Sequence, residues 1–170
     1  MKTLLIVRHA KSSWSDPFLG DHDRPLNERG LRDAPFMGDV LAQRGPRPDL
    51  LVSSSAVRAL HTARFFAQAL GHGPEQIAVM PSLYHAEIED ILELLRTFDD
   101  AAATVALFAH NPTLTALANS FEGPFLENLP TCGIVAVGFD VAHWTEAAPS
   151  NGKVLFYEFP KNYFPKDSLD

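Results

Sequence analysis

The sequence predicts an α/β fold: a mainly parallel central sheet of about six strands, covered by helices on both faces. Three observations carry that expectation. Apolar runs of strand length recur along the chain, most of them without a polar interruption, as strands buried on both faces require. Segments of helical period separate these runs, so strand and helix alternate. Polar clusters follow directly on three of the runs, at the strand ends where open α/β sheets hold their ligands.

The first run, residues 3–7, ends at Arg8-His9-Ala10-Lys11-Ser12. Residues 11–26 carry Pro17, Gly20 and Pro25 among aspartates and serines, show no periodicity, and read as a long loop over the sheet edge. A helix is predicted over 28–44; Pro35 inside it lacks an N–H and should kink or restart it. A short strand at 50–52 leads through Ser53, Ser54 and Ser55 into a helix at 57–70. There Val57, Leu60, Phe65 and Leu70 fall close to one stripe, and Ser55 is placed to cap the start. A strand at 77–80 precedes a helix at 88–98 whose acids gather toward its N-terminus, as the helix dipole favours. The strand at 104–109 runs into His110-Asn111-Pro112 and a helix at 114–121, and strands at 134–139 and 154–159 complete the sheet. Residues 160–170, rich in Lys, Pro and Asp, read as a surface arm on a single domain spanning 1–170.

With 46% hydrophobic and 21% charged residues, the 170-residue chain has the profile of one folded domain and not of a disordered one. A formal charge of -7 argues against nucleic acid or an anionic membrane as the main partner, because both select a basic excess. An anionic substrate therefore needs a local cationic pocket. Cys132 is the only cysteine, so neither an internal disulfide nor a thiolate metal cluster can form within the chain. The N-terminal apolar stretch is too short for a signal peptide or a membrane span, and a cytoplasmic location is expected.

The chemistry gathers at the three polar clusters. Arg8 and His9 place a forked cation beside an imidazole, a pairing suited to holding a phosphoryl group while the imidazole attacks or takes a proton. Arg58, His61 and Thr62, spaced i, i+3 and i+4, share one face near a helix N-terminus, which is a ready anion site. His110 follows the third run. If these strands lie side by side and parallel, Arg8, His9, Arg58 and His110 surround one tetrahedral anion. The chemistry that follows is in-line phosphoryl transfer to one imidazole, with the two arginines spreading over the equatorial oxygens and a further hydrogen bond from the second histidine.

These residues resemble the histidine phosphatase superfamily, which includes the phosphoglycerate mutases, and within it the short SixA-like phosphohistidine phosphatases. The likeness runs through Leu5 to Lys11, Asp23 to Gly30, Ser53 to Ser55 with Arg58, Thr62 and Ala63, and Ala109 with His110-Asn111-Pro112. It implies a three-layer α/β/α sandwich, a nucleophilic His9, phosphate binding by Arg8 and Arg58, and a pocket completed by His110. Ala10 stands where the wider family carries glycine, and Lys11 where mutases carry an acid; both departures favour the SixA-like branch. The implied activity is metal-independent hydrolysis through a phosphohistidine intermediate, with no cofactor. A phosphorylated protein, as phosphohistidine, or a small phosphate ester is the partner, and inorganic phosphate the product. A phospho-binding module without turnover is the reading from another class.

The proton donor is open. Glu87, followed by Glu89 and Asp90, lies where ester-cleaving relatives carry an acid, yet the same acids suit a helix start. Ester alkoxides need such a donor far more than imidazole does, so an absent acid points toward phosphohistidine. Asp16, Asp21 and Asp23 read as loop-shaping or solvated residues. His22, His72 and His143 read as solvated loop residues, and no metal site is expected. Trp14 could line a substrate mouth or fill core, whereas Phe65 and Phe66 read as core. The serines at 53–55 lack the glycines of a nucleophile elbow.

Overall fold

In the computed structural model, which describes residues 1–165, six strands form one sheet in the order β3-β2-β4-β1-β5-β6. The strands are β1 Lys2–Arg8, β2 Leu50–Ser53, β3 Ile77–Val79, β4 Thr104–Ala109, β5 Ile134–Phe139 and β6 Gly152–Glu158. Pairs β1·β4, β2·β4 and β2·β3 are parallel, while β5 and β6 add an antiparallel edge. The central order β2-β4-β1 sets three parallel carboxyl ends side by side, and these are the ends that the three polar clusters follow.

Four helices cover the sheet: α1 Glu28–Arg44, α2 Val57–Leu70, α3 Ile88–Leu95 and α4 Thr113–Asn119. Successive side chains of β1 alternate between the two faces. Leu5 and Val7 join Met37, Leu41, Phe66 and Phe108 against α1 and α2, whereas Leu4 and Ile6 join Ile91, Leu95, Leu117 and Trp144 against α3 and α4. The three layers follow from that alternation, each fully buried aliphatic side chain contributing about 1.5–3 kcal/mol. Trp144 sits in the core with its indole N–H on the Ala102 carbonyl (2.7 Å). Among the described residues no helix is long and apolar enough to cross a membrane.

Several boundaries differ from the sequence reading. Helix α1 runs unbroken through Pro35. The carbonyl that Pro35 leaves without a helical donor is that of Leu31, a residue 44% exposed. Helix α3 stops at Leu95, where tight bonds from Thr97 N–H to Leu94 O and from Phe98 N–H to Leu95 O wind up the last turn. Phe98 is buried nonetheless, so the apolar period beyond Leu95 reports burial and not helix. Residue Ala56, not Ser55, occupies the cap position of α2. Pro160–Asn162 forms a 3-10 turn and Phe164 packs on Phe36; the rest of the surface arm, residues 166–170, lies outside the described residues.

The loop 11–26 is stapled at its base. Ser12 and Leu26 bridge, Ser13 N–H donates to Pro25 O (2.8 Å), and Asn27 N–H donates to Lys11 O (3.0 Å). Gly30, in the first turn of α1, makes this closure possible, because a Cβ there would lie 2.2 Å from the Lys11 oxygen.

Candidate active site

Arg8 is the last residue of β1 and His9 the next; His110 follows the end of β4; Arg58 is the second residue of α2, which begins just past β2. The sheet order brings all four to one pocket, whose rim adds Lys11, Ser12, Trp14, Arg24, Asn111 and Thr131. The rings of His9 and His110 stand 5.3 Å apart. His61 is not brought in: it stacks on Phe65 at 4.9 Å. Thr62 serves as a brace, its hydroxyl donating to Arg58 O (2.7 Å) and accepting from Ala10 N–H (3.0 Å), which ties the start of α2 to the backbone beyond His9. Cys132 braces the other side. Its N–H is shared between Arg8 O and His9 O (3.0 Å each), from a backbone held at φ 60, a strained conformation for a non-glycine residue.

His9 is 7% exposed, and its Nδ1 lies 2.7 Å from Ala10 O. A carbonyl only accepts, so the proton sits on Nδ1 and the lone pair on Nε2. Burial above all lowers the His9 pKa to about 3; the Ala10 carbonyl opposes the shift, and His110, Arg58 and Arg8 reinforce it. Burial, then the charge of Arg58, lowers His110 to about 4. Both rings are therefore neutral near pH 7. His110 Nε2 meets Ser54 Oγ at 2.8 Å. His110 Nδ1 is buried and has no partner.

The arginines share one pattern. Arg8 Nη1 donates to Leu129 O (2.9 Å), and Arg58 donates from Nη1 to Asp21 O (2.7 Å) and from Nη2 to Asp21 Oδ2 (3.0 Å). In both, Nε is buried and has no partner. Each guanidinium is thus held by the protein through its Nη atoms alone. Two guanidiniums and two imidazoles neutral near pH 7 around a single pocket suit the binding of a tetrahedral oxyanion and attack on it by an imidazole lone pair. Among the described residues no three His, Cys, Asp or Glu side chains gather as metal ligands.

The depressed His9 pKa sets an expected pH profile. Below pH 6.5 an ordinary histidine loses its nucleophilic form, but His9 keeps it until the pH approaches about 3. The kcat/KM profile, corrected for ionisation of the substrate, should stay level from pH 8 to about pH 5; a fall centred near 6.5 would contradict this environment. Stability has the opposite weakness. The unfolded imidazole binds a proton below about pH 6.5 and the folded one does not, so each depressed histidine removes up to about 1.4 kcal/mol per pH unit as acidity rises from 6.5 toward its folded value.

Two side chains expected to be loop-shaping or solvated, Asp21 and His22, belong to the site's support. Asp21 accepts from Arg58, from Arg24 and from the Tyr84 hydroxyl. His22 bridges Ser55 Oγ (2.9 Å) and Asp23 (3.2 Å). Trp14, left open in the sequence reading, is 74% exposed and lies 3.5 Å over the Arg24 guanidinium at the rim. Glu87 is exposed at the start of α3; it lines a neighbouring pocket that shares His110 and Asn111 with the first and holds neither Arg8, His9 nor Arg58.

Residues 4–90 match the family profile of the histidine phosphatase superfamily (branch 1). An uncharacterized protein of Mycobacterium tuberculosis (strain H37Rv) is 31% identical over 165 residues, covering 91% of this chain and all of the relative. A chloroplastic protein of Arabidopsis thaliana is 30% identical over 161 residues, covering 89% of this chain and 72% of the relative. Among solved structures, a SixA protein from Agrobacterium tumefaciens superposes with a TM-score of 0.79 at 29% identity, over 94% of this chain and 98% of its own. The sheet order, the sequence match and the structural likeness agree: the chain belongs to branch 1 of the histidine phosphatase superfamily, in its SixA-like group.

Proposed function

We propose that this chain is a metal-independent phosphatase whose nucleophile is Nε2 of His9 and whose substrate is phosphohistidine on a protein. The observation that carries the reading is the state of His9: neutral, with Nδ1–H fixed on Ala10 O, beside two guanidiniums that each keep a buried Nε–H without a partner. In the first step His9 Nε2 attacks phosphorus in line with the substrate P–N bond. That bond breaks with its electron pair returning to the substrate imidazole, already protonated on its far nitrogen, which leaves neutral. The phosphorylated His9 ring retains its Nδ1–H on Ala10 O and is cationic. Water then adds to phosphorus, the P–Nε2 bond breaks with its pair returning to His9, and dihydrogen phosphate leaves. Arg8, Arg58 and His110 stabilise the equatorial oxygens in both steps.

The position of Glu87 favours phosphohistidine over a phosphate ester. An alkoxide leaving group needs a proton donor at the reacting oxygen, and the carboxyl belongs to the adjoining pocket. Imidazole needs none. The test compares a phosphohistidine protein with a chromogenic aryl phosphate, in chelator without added metal. Turnover of both is expected, with kcat/KM at least about tenfold higher on the phosphohistidine protein. Dependence on added metal would remove the mechanism, and a preference for the aryl ester would move the assignment to a small-molecule phosphomonoesterase.

A further inference from the structure

We infer that Asp21 is a positioning residue: it holds Arg58, from outside the phosphate pocket, in the pose that receives the phosphoryl group, and so sets the affinity for that group. The inference rests on the phosphate-binding role proposed above for Arg58. Asp21 lies on the 3-10 turn Asp21–Asp23 of the long loop, 37 residues from Arg58 in sequence. Its backbone oxygen takes Arg58 Nη1 and its carboxylate takes Arg58 Nη2. Those two nitrogens form the end-on edge of the guanidinium. The Nε is buried and has no partner, so the protein does not claim the guanidinium's other edge.

Asp21 is itself fixed from two other directions. Arg24 donates from Nε (3.2 Å) and approaches with Nη2 (3.1 Å) on Oδ1, while the Tyr84 hydroxyl donates to Oδ2. Arg24 is anchored in turn, its Nη1 donating to Ser12 Oγ at 2.6 Å. The carboxylate therefore faces two guanidiniums, and the group of Arg24, Arg58 and Asp21 keeps one net positive charge toward an incoming anion. An unrestrained arginine loses rotamer freedom when a ligand fixes it. Asp21 fixes Arg58 beforehand, so the bound phosphate does not bear that loss.

Such a role acts equally on ground state and transition state, which gives it a kinetic signature: KM and the dissociation constant rise while kcat holds. The experiment measures inorganic phosphate binding by calorimetry, and kcat and KM on an aryl phosphate, for the full chain and for Asp21→Ala, Asp21→Asn and Tyr84→Phe. Asp21→Ala should weaken phosphate and raise KM by about tenfold, with kcat within about threefold of wild type. Asp21→Asn, whose amide oxygen can still accept from Nη2, should recover most of that loss. Tyr84→Phe, which removes the hydroxyl's bond to Asp21 and its interaction with Arg58 but leaves Asp21 in place, should shift both constants the same way by about two- to threefold. Unchanged or tighter phosphate binding in Asp21→Ala overturns the inference, as does a fall in kcat at constant affinity. If wild type binds no phosphate, the phosphatase reading fails as well; if wild type binds and turns over normally while the variants match it, only the role of Asp21 fails.

Discussion

Replacing His9 with alanine is expected to lower kcat by at least about three orders of magnitude on both an aryl phosphate and a phosphohistidine protein. The expectation follows from what cannot be replaced. Arg8, Arg58 and His110 can still hold an oxyanion in the variant, and that binding alone retains some catalysis, but no other side chain of the pocket offers an unprotonated lone pair to phosphorus. His110 is no substitute, because its Nε2 is engaged by Ser54 and its Nδ1 is buried. The variant should fold, since truncation removes a buried imidazole whose one side-chain bond is to the neighbouring carbonyl. Wild type mixed with radiolabelled substrate and quenched in alkali should trap an acid-labile, alkali-stable phosphoryl-protein, and His9→Ala should trap none. Equal turnover in the two proteins would discard His9 as nucleophile; a lost label with unchanged turnover would discard the covalent intermediate.

The fold was legible wherever burial and regular structure coincide. The strands at 104–109 and 134–139 match the sequence reading to the residue, because both faces of each are covered and apolar residues run through their whole length. Helix α1 matches as well, its start marked by Asn27, whose side chain accepts Gly30 N–H at 2.9 Å, and its end by Gly45. The reading overran at Phe98, where burial continues after the helix has stopped. At the site, Arg8, His9, Arg58 and His110 could be picked out because each stands just past an apolar run, and parallel strands bring such positions together whatever their separation in sequence. What supports them was hidden for physical reasons. Leu129 and Cys132 act through a backbone carbonyl and a backbone N–H, which leave no trace in residue type. Asp21 and His22 sit in a loop without periodicity, and their partners Arg58, Tyr84 and Ser55 lie more than thirty residues away, so only the folded chain shows the pairing.

Arg8→Ala is expected to reduce kcat/KM by about two to three orders of magnitude while leaving the unliganded fold within about 1 kcal/mol of wild type. Activity should fall because Arg8, in the proposed mechanism, stabilises the equatorial oxygens, and a single donor aimed at transition-state charge carries roughly that factor. Stability holds because Arg8 contributes little to the empty pocket. It makes one side-chain bond, to Leu129 O; its Nε is buried without a partner; and burial, together with the charge of Arg58, already lowers its pKa. A desolvated cation facing another cation is a strain that an anion relieves. Phosphate should therefore stabilise wild type, by about 2.7 kcal/mol at one hundred times its dissociation constant, and should stabilise the variant much less. Arg8→Lys keeps the charge and loses the fork: one ammonium cannot hold the Leu129 carbonyl and bridge phosphoryl oxygens in the same plane, so it should recover less than about a tenth of wild-type kcat/KM. Thermal unfolding with and without phosphate, beside steady-state kinetics, separates this role from a structural one. If Arg8→Ala loses stability in the absence of phosphate as steeply as it loses activity, Arg8 is a strut for the Leu129 segment; if phosphate protects wild type and not the variant, it is the anion's partner.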